Sequence, residues 1–169
     1  LFVSRSDSTL RGHFPLETEI LREEYEKNTR LPVDGEILCP FFKEGGRFTL
    51  DNIHYVKYGE ELVPANETEF AKDPTFGYVS ETLPEYVEEK TGGTFRKEAV
   101  TCISLEDLHE MNFDRIQQQL MDVKDFNKVV VNAVDYPDLR VFCVALLRAM
   151  AAGKNFLFRT AASLVRVLG

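Results

Sequence analysis

The chain has 169 residues, which suits one domain with a core of its own, and its 44% hydrophobic and 28% charged content is ordinary for a soluble fold. No stretch approaches the roughly 20 apolar residues needed to cross a bilayer, which speaks against membrane insertion. With 28 acidic residues against 20 basic ones and a formal charge of −8, the composition argues against a broad footprint for nucleic acid or an anionic membrane surface. A small anion would have to be held by local donors.

The chain opens on the apolar run Leu1-Phe2-Val3, without an initiator Met or a signal-peptide pattern, and reads as a strand belonging to a piece of a longer, cytoplasmic protein. The polar loop Ser4 to Gly12 leads into a helix whose apolar positions Leu16, Ile20, Leu21 and Tyr25 have helical spacing. Ile37 to Phe42 reads as a short buried strand that Pro40 must end or place at an edge. From Gly45 to Thr68, short β-rich runs broken by Gly46, Asp51-Asn52 and Gly59 predict a β-hairpin insertion. Residues 83–89 predict an acidic helix stopped by Thr91-Gly92-Gly93, and residues 100–103 a strand.

Ser104 to Leu108 resembles a capped turn, after which Phe113, Ile116, Leu120 and Val123 share one helical face. Lys128 to Ala133 is the strongest buried-strand signal, because successive β-branched residues suit a parallel strand covered on both sides. An apolar helix over 137–150, a strand over 155–159 and a last helix opening at Thr160 to Ser163 complete the series. The predicted fold is therefore α/β and three-layered: a mostly parallel sheet, helices on both faces, and a hairpin insertion. All 169 residues are read as one partial domain.

In open α/β sheets ligands bind beyond the carboxyl ends of the strands, which directs attention to the loops after Val3, Val131 and Phe158. The first carries Arg5, Asp7, Ser8, Thr9 and Arg11, with Gly12 at the approach to a helix. An arginine fork can hold a carboxylate at two points, hydroxyls can donate, and an aspartate can accept from hydroxyls, a set that suits a hydroxylated acid. The competing reading is a surface turn in which Asp7 or Ser8 caps a helix. Arg159 and Thr160 repeat the pattern at the last junction, where Thr160 could also be a simple cap; Asn132 and Asp135 read more simply as loop-capping residues.

His13, His54 and His109 have no metal-ligand spacing and suggest structural or surface roles, His13 being the one that could face the same ligand as Arg11. Cys39, Cys102 and Cys143 are odd in number and outside any CxxC, so they are expected to be reduced and in or near the core. Neither Gly45-Gly46 nor Gly92-Gly93 has the context of a phosphate loop.

Taken together, the run from Ser4 to His13, the Arg47 to Tyr58 segment, Glu67-Thr68 to Asp73-Pro74, and Phe158 to Ser163 resemble the four-carbon acid sugar kinase family over nearly the whole chain. The resemblance implies a sugar-binding N-terminal domain, a C-terminal nucleotide-binding domain, and phosphorylation of threonate, erythronate or an oxo-tetronate at its terminal hydroxyl with ATP and Mg2+. It also implies an acidic Asp-Asp-x-Thr-Gly motif upstream; neither that motif nor the nucleotide-binding glycine loops occur here, so the chain alone is expected to be inactive. Asn132-Ala133 stands where many relatives have Asp-Ala. Arg11 and the amides near Gly12 are expected on the substrate carboxylate, Asp7 and Ser8 on its hydroxyls with Asp7 orienting the reacting one, and Arg159 with Thr160 closing the pocket. The alternative is a non-catalytic sugar-acid binding or regulatory module.

Overall fold

A computed structural model describes residues 2–169; Leu1, read with the first strand, lies outside the described residues. In chain order the elements are β1 (Phe2–Arg5), α1 (Leu16–Thr29), β2 (Gly35–Cys39), β3 (Arg47–Leu50), β4 (Ile53–Tyr58), β5 (Glu61–Pro64) and α2 (Leu83–Lys90). Then follow β6 (Thr101–Ile103), α3 (Leu105–His109), α4 (Phe113–Asp122), β7 (Asn127–Val131), α5 (Tyr136–Ala151), β8 (Phe156–Thr160) and α6 (Ala162–Leu168). Five strands form a wholly parallel sheet in the order β1-β8-β2-β7-β6.

Strand alternation builds the three layers. Ile37, Cys39, Val129, Val131, Phe156 and Phe158 point to one face, where Ile116, Leu120, Leu139, Phe142 and Leu146 of α4 and α5 complete the larger core. On the other face, Leu38 and Val130 meet Leu10, Phe14, Tyr78 and Leu83, Tyr86 and Val87 of α2. Cys39 and Cys143 are buried and Cys102 half-buried; burial pushes the Cys39 and Cys143 thiols up to about 12, so they behave as core residues.

Two expectations change. The insertion holds the expected antiparallel hairpin, β3-β4, and extends it with a third strand, β5. Its first turn is made by Asp51 and Asn52, with φ values of 51° and 62°, and its second uses Gly59 at 59°, both suited to two-residue connections between antiparallel strands. The second difference concerns α1, whose apolar stripe is not its buried face: Leu16 and Ile20 are 56% and 50% exposed, while Thr18 is buried. Among the described residues β1 is the edge strand of the sheet, and they leave that stripe of α1 uncovered.

One polar pair lies inside the sheet. Glu36 and Lys128 are register partners on β2 and β7, both fully buried, with Nζ 2.7 Å from Oε2. The ammonium also lies 3.6 Å from the Phe126 ring centroid and 4.3 Å from that of Phe95. Loss of hydration pushes the Lys128 pKa down, and the carboxylate and the two rings are what replace the lost water.

Candidate functional site

The carboxyl ends of β1 and β8 lie side by side, because Arg5 pairs with Thr160 and the Ser6 amide continues the ladder onto the Thr160 carbonyl at 3.0 Å. The chain then turns: the Leu10 amide bonds the Asp7 carbonyl at 3.2 Å, and Leu10 takes a φ of 69°. Leu10 and Phe14 are buried in the second core, so the loop is pinned along its inner side.

Three of its side chains form a triangle. Arg11 Nε donates to Asp7 Oδ2 at 2.8 Å and to Thr9 Oγ1 at 3.1 Å, and the Thr9 hydroxyl donates to the same Asp7 oxygen. Burial would push the Asp7 carboxyl up, but the hydrogen bonds from Thr9 and Arg11 outweigh it and hold the group below its ordinary value, so it stays an acceptor. Arg11 Nη1 lies 4.0 Å from Asp73 Oδ2, and the guanidinium sits 5.1 Å from the Phe70 ring centroid. Among the described residues, the Arg11 Nη groups and Asp7 Oδ1 make no hydrogen bond.

These groups open on a cleft of about 350 Å³ lined by Arg5, Ser6, Asp7, Arg11, Gly12, Glu17, Asp73 and Phe76. That volume is in the range of small-molecule sites. A larger groove of about 750 Å³ runs along α2, lined by Glu81, Glu85, Glu88 and Glu89. Three of those carboxylates are already engaged: Glu85 with Thr82 and Lys97, Glu88 with the Lys97 amide, and Glu89 with the Val79 and Ser80 amides. The smaller cleft, at the strand ends and with free donors, is the better candidate.

A family model described as the sugar-binding N-terminal domain matches residues 1–168. The chain belongs to that family. No curated protein matches it. A crystal structure of the Haemophilus influenzae protein HI1011, of family DUF1537, superposes with a TM-score of 0.72 at 20% identity, covering 99% of this chain and 37% of that one. A DUF1537 protein from Bordetella bronchiseptica, crystallised with bound citrate as a domain-swapped dimer, gives a TM-score of 0.62 at 23% identity over 98% of this chain and 35% of its own. The chain thus spans a little over a third of the length of these two structures.

In this sugar-binding domain the sequence-predicted residues are not all at the cleft. Arg5, Asp7, Arg11 and Gly12 line it. Thr9 is buried and acts through Asp7 and Arg11, while Ser8 is half-buried and contributes its carbonyl as a contact for His54. Arg159 is 3% exposed and lies behind the loop: Nη2 donates to the Arg11 carbonyl at 3.4 Å, the guanidinium is 5.1 Å from the Phe14 ring centroid, and Nε has no partner. Thr160, the next residue on the strand, is turned to the opposite face, fully buried, with its hydroxyl unpartnered; it does not close the cleft.

His13 is exposed and meets the edge of the Phe76 ring at 4.9 Å between centroids. Asn132 is spent on the Asn52 amide and side chain and on the Ile103 carbonyl, and Asp135 caps α5 and pairs with Lys43. Among the described residues no group of three or more His, Cys, Asp or Glu side chains could hold a metal ion. Asp73 and Phe76, absent from the sequence-based set, line the cleft; Asp73 is fixed there by the Thr75 and Phe76 amides, both at 2.9 Å. The Asp73-Pro74 turn signal was visible, but nothing local says that it faces Arg11.

Gly12 is needed twice, for its φ of 124° and for the space that a Cβ would take 3.3 Å from Arg159 Nη2. Gly12→Ala is expected to cost about 1–3 kcal/mol of stability, read by urea unfolding, because the strained backbone and the buried guanidinium must both give way.

Proposed function

We propose that this chain is the acid-binding part of an ATP-dependent kinase that phosphorylates a four-carbon sugar acid, such as threonate, erythronate or an oxo-tetronate, at its terminal hydroxyl. The observation that carries this reading is the convergence, at one cleft, of Arg11 Nη groups that make no hydrogen bond, an acceptor held ionised, and a buried guanidinium just behind the loop. Arg11 takes the carboxylate at its Nη groups, and Asp7 Oδ1 accepts from a substrate hydroxyl and orients it. Because Asp7 is held ionised by its own donors, it serves as an orienting acceptor and not as a strong base.

Arg159 has no ion-pair partner among the described residues, and a buried cation without a counter-charge favours an anion nearby. The family description and the citrate, a hydroxylated acid, in the Bordetella protein support the same class of ligand.

Among the described residues no group of three or more His, Cys, Asp or Glu side chains is placed to hold a metal ion, and the role proposed for these residues is toward the acid. ATP and Mg2+ are assigned to a C-terminal nucleotide-binding domain of a longer protein, a division consistent with the chain's share of its structural relatives. Binding, orientation and shielding of the acceptor are what this domain contributes.

Calorimetric titration of the chain with the three acids, compared with Arg11→Ala, tests the binding half. Loss of a charge-assisted contact is expected to weaken the preferred acid roughly 10- to 100-fold. Unchanged affinity would remove Arg11 from the site. ADP release by a longer protein carrying this chain, with the same acids, tests the kinase half; binding without turnover would leave a sugar-acid binding module.

A further inference from the structure

The loop after β1 is held in an uncommon way. Four successive backbone carbonyls each accept from a side chain of a different part of the fold: Ser8 from His54 Nε2 at 2.7 Å, Thr9 from the Tyr78 hydroxyl at 3.0 Å, Leu10 from the Tyr86 hydroxyl at 2.7 Å, and Arg11 from Arg159 Nη2 at 3.4 Å. All four donors are at most 4% exposed. Loops usually leave such groups to water, and a row satisfied from the interior fixes the direction of each peptide plane.

That direction has a chemical consequence. In a trans peptide the C=O of one residue and the N–H of the next point opposite ways. Turning the Leu10 and Arg11 carbonyls inward therefore turns the Arg11 and Gly12 N–H groups outward, and among the described residues neither has a protein acceptor. With Leu10 at a φ of 69° and Gly12 at 124°, adjacent amides on a turn of this kind form a concavity suited to an anion. Arg11 and Gly12 both line the cleft.

We infer that His54, Tyr78 and Tyr86 are positioning residues for the acid site: they touch no substrate, and by gripping the inner edge of the loop they aim the Arg11 and Gly12 amides at the substrate carboxylate. The inference rests on the acid-binding reading above and adds to it the parts that set its geometry. The chemistry of the three donors fits a permanent role. Ser8 O can only accept, so His54 carries its proton on Nε2, and its Nδ1 accepts from Thr49 Oγ at 2.8 Å. Burial pushes the Tyr86 hydroxyl up to about 12 and raises that of Tyr78 as well, so both remain donors throughout the neutral range. The Phe14 ring stacks on Tyr86 at 5.6 Å and Tyr78 meets Tyr86 edge-on at 5.3 Å, which keeps the two hydroxyls in place.

The test is Tyr78→Phe, Tyr86→Phe and the double variant, each of which deletes only a hydroxyl. Two measurements are made: affinity for threonate by calorimetry, and backbone order parameters of residues 8–12 by 15N relaxation without ligand. The double variant is expected to bind threonate at least tenfold more weakly and to lose order at residues 8–12, with a lowered melting temperature but with β2 and β7 as ordered as in the parent. If the double variant does not fold, the single variants carry the same comparison, each with a smaller loss. Unchanged affinity and unchanged loop order in a folded variant overturn the inference. If the parent chain binds none of the four-carbon acids, the acid-binding reading fails; the order parameters then show whether the tyrosines clamp the loop, and the proposed role toward a carboxylate falls with that reading.

Discussion

Lys128→Met, made alone, is expected to destabilise the chain by about 3–5 kcal/mol, because it leaves Glu36 fully buried beside no cation. The two side chains face each other from neighbouring strands at the middle of the sheet, where neither can reach water by a change of rotamer. The Phe126 and Phe95 rings, which lie against the ammonium, offer a carboxylate only their negative faces. Replacing both members, Glu36→Leu with Lys128→Met, is expected to recover most of the loss, since an apolar pair of similar volume removes both desolvation penalties together. Urea unfolding of the parent, both single variants and the double variant gives the coupling directly. A single variant as stable as the parent would mean that water reaches the pair.

The second large effect is a loss of stability in mild acid that is due to His54. Burial holds its pKa down to about 4, against 6.5 for a free imidazole. Between those values the unfolded chain takes up a proton that the folded chain refuses. The stabilisation is therefore complete above the higher value and is lost as pH falls through the window, by about 3 kcal/mol in all. Unfolding free energies measured from pH 7 down to pH 4 for the parent and for His54→Gln are expected to diverge in slope, with the variant flatter over this interval. Equal slopes would place the proton elsewhere.

Much of the fold was legible because its signals are local. Val129, Val130 and Val131 announce a strand covered on both faces, and Thr82 with Glu85 and Ser104 with Asp107 cap helices that the residue pattern alone suggests. The Ser4 to Gly12 loop stood out as a candidate site for the same reason: its donors and acceptors are adjacent in the chain. β5 was missed because Glu61 to Pro64 is short, ends in proline and is held mainly by pairing with β4. Arg159 and Thr160 illustrate another limit, since adjacent strand residues face opposite ways and the sequence does not say which one faces the loop. The clamp was beyond reach: Tyr78 and Tyr86 lie 69 and 76 positions from the carbonyls they hold, and nothing near them hints at the pairing.

The order β1-β8-β2 also sets a timetable for synthesis. β8 is synthesised after both β1 and β2 yet is inserted between them, and the guanidinium beneath the loop arrives with it. Until β8 has emerged, β1 lacks its partner among the described strands and the loop after it lacks the Arg159 guanidinium behind it. Such distant pairing slows folding, so the geometry of the loop after β1 is set late, once β8 has joined the sheet.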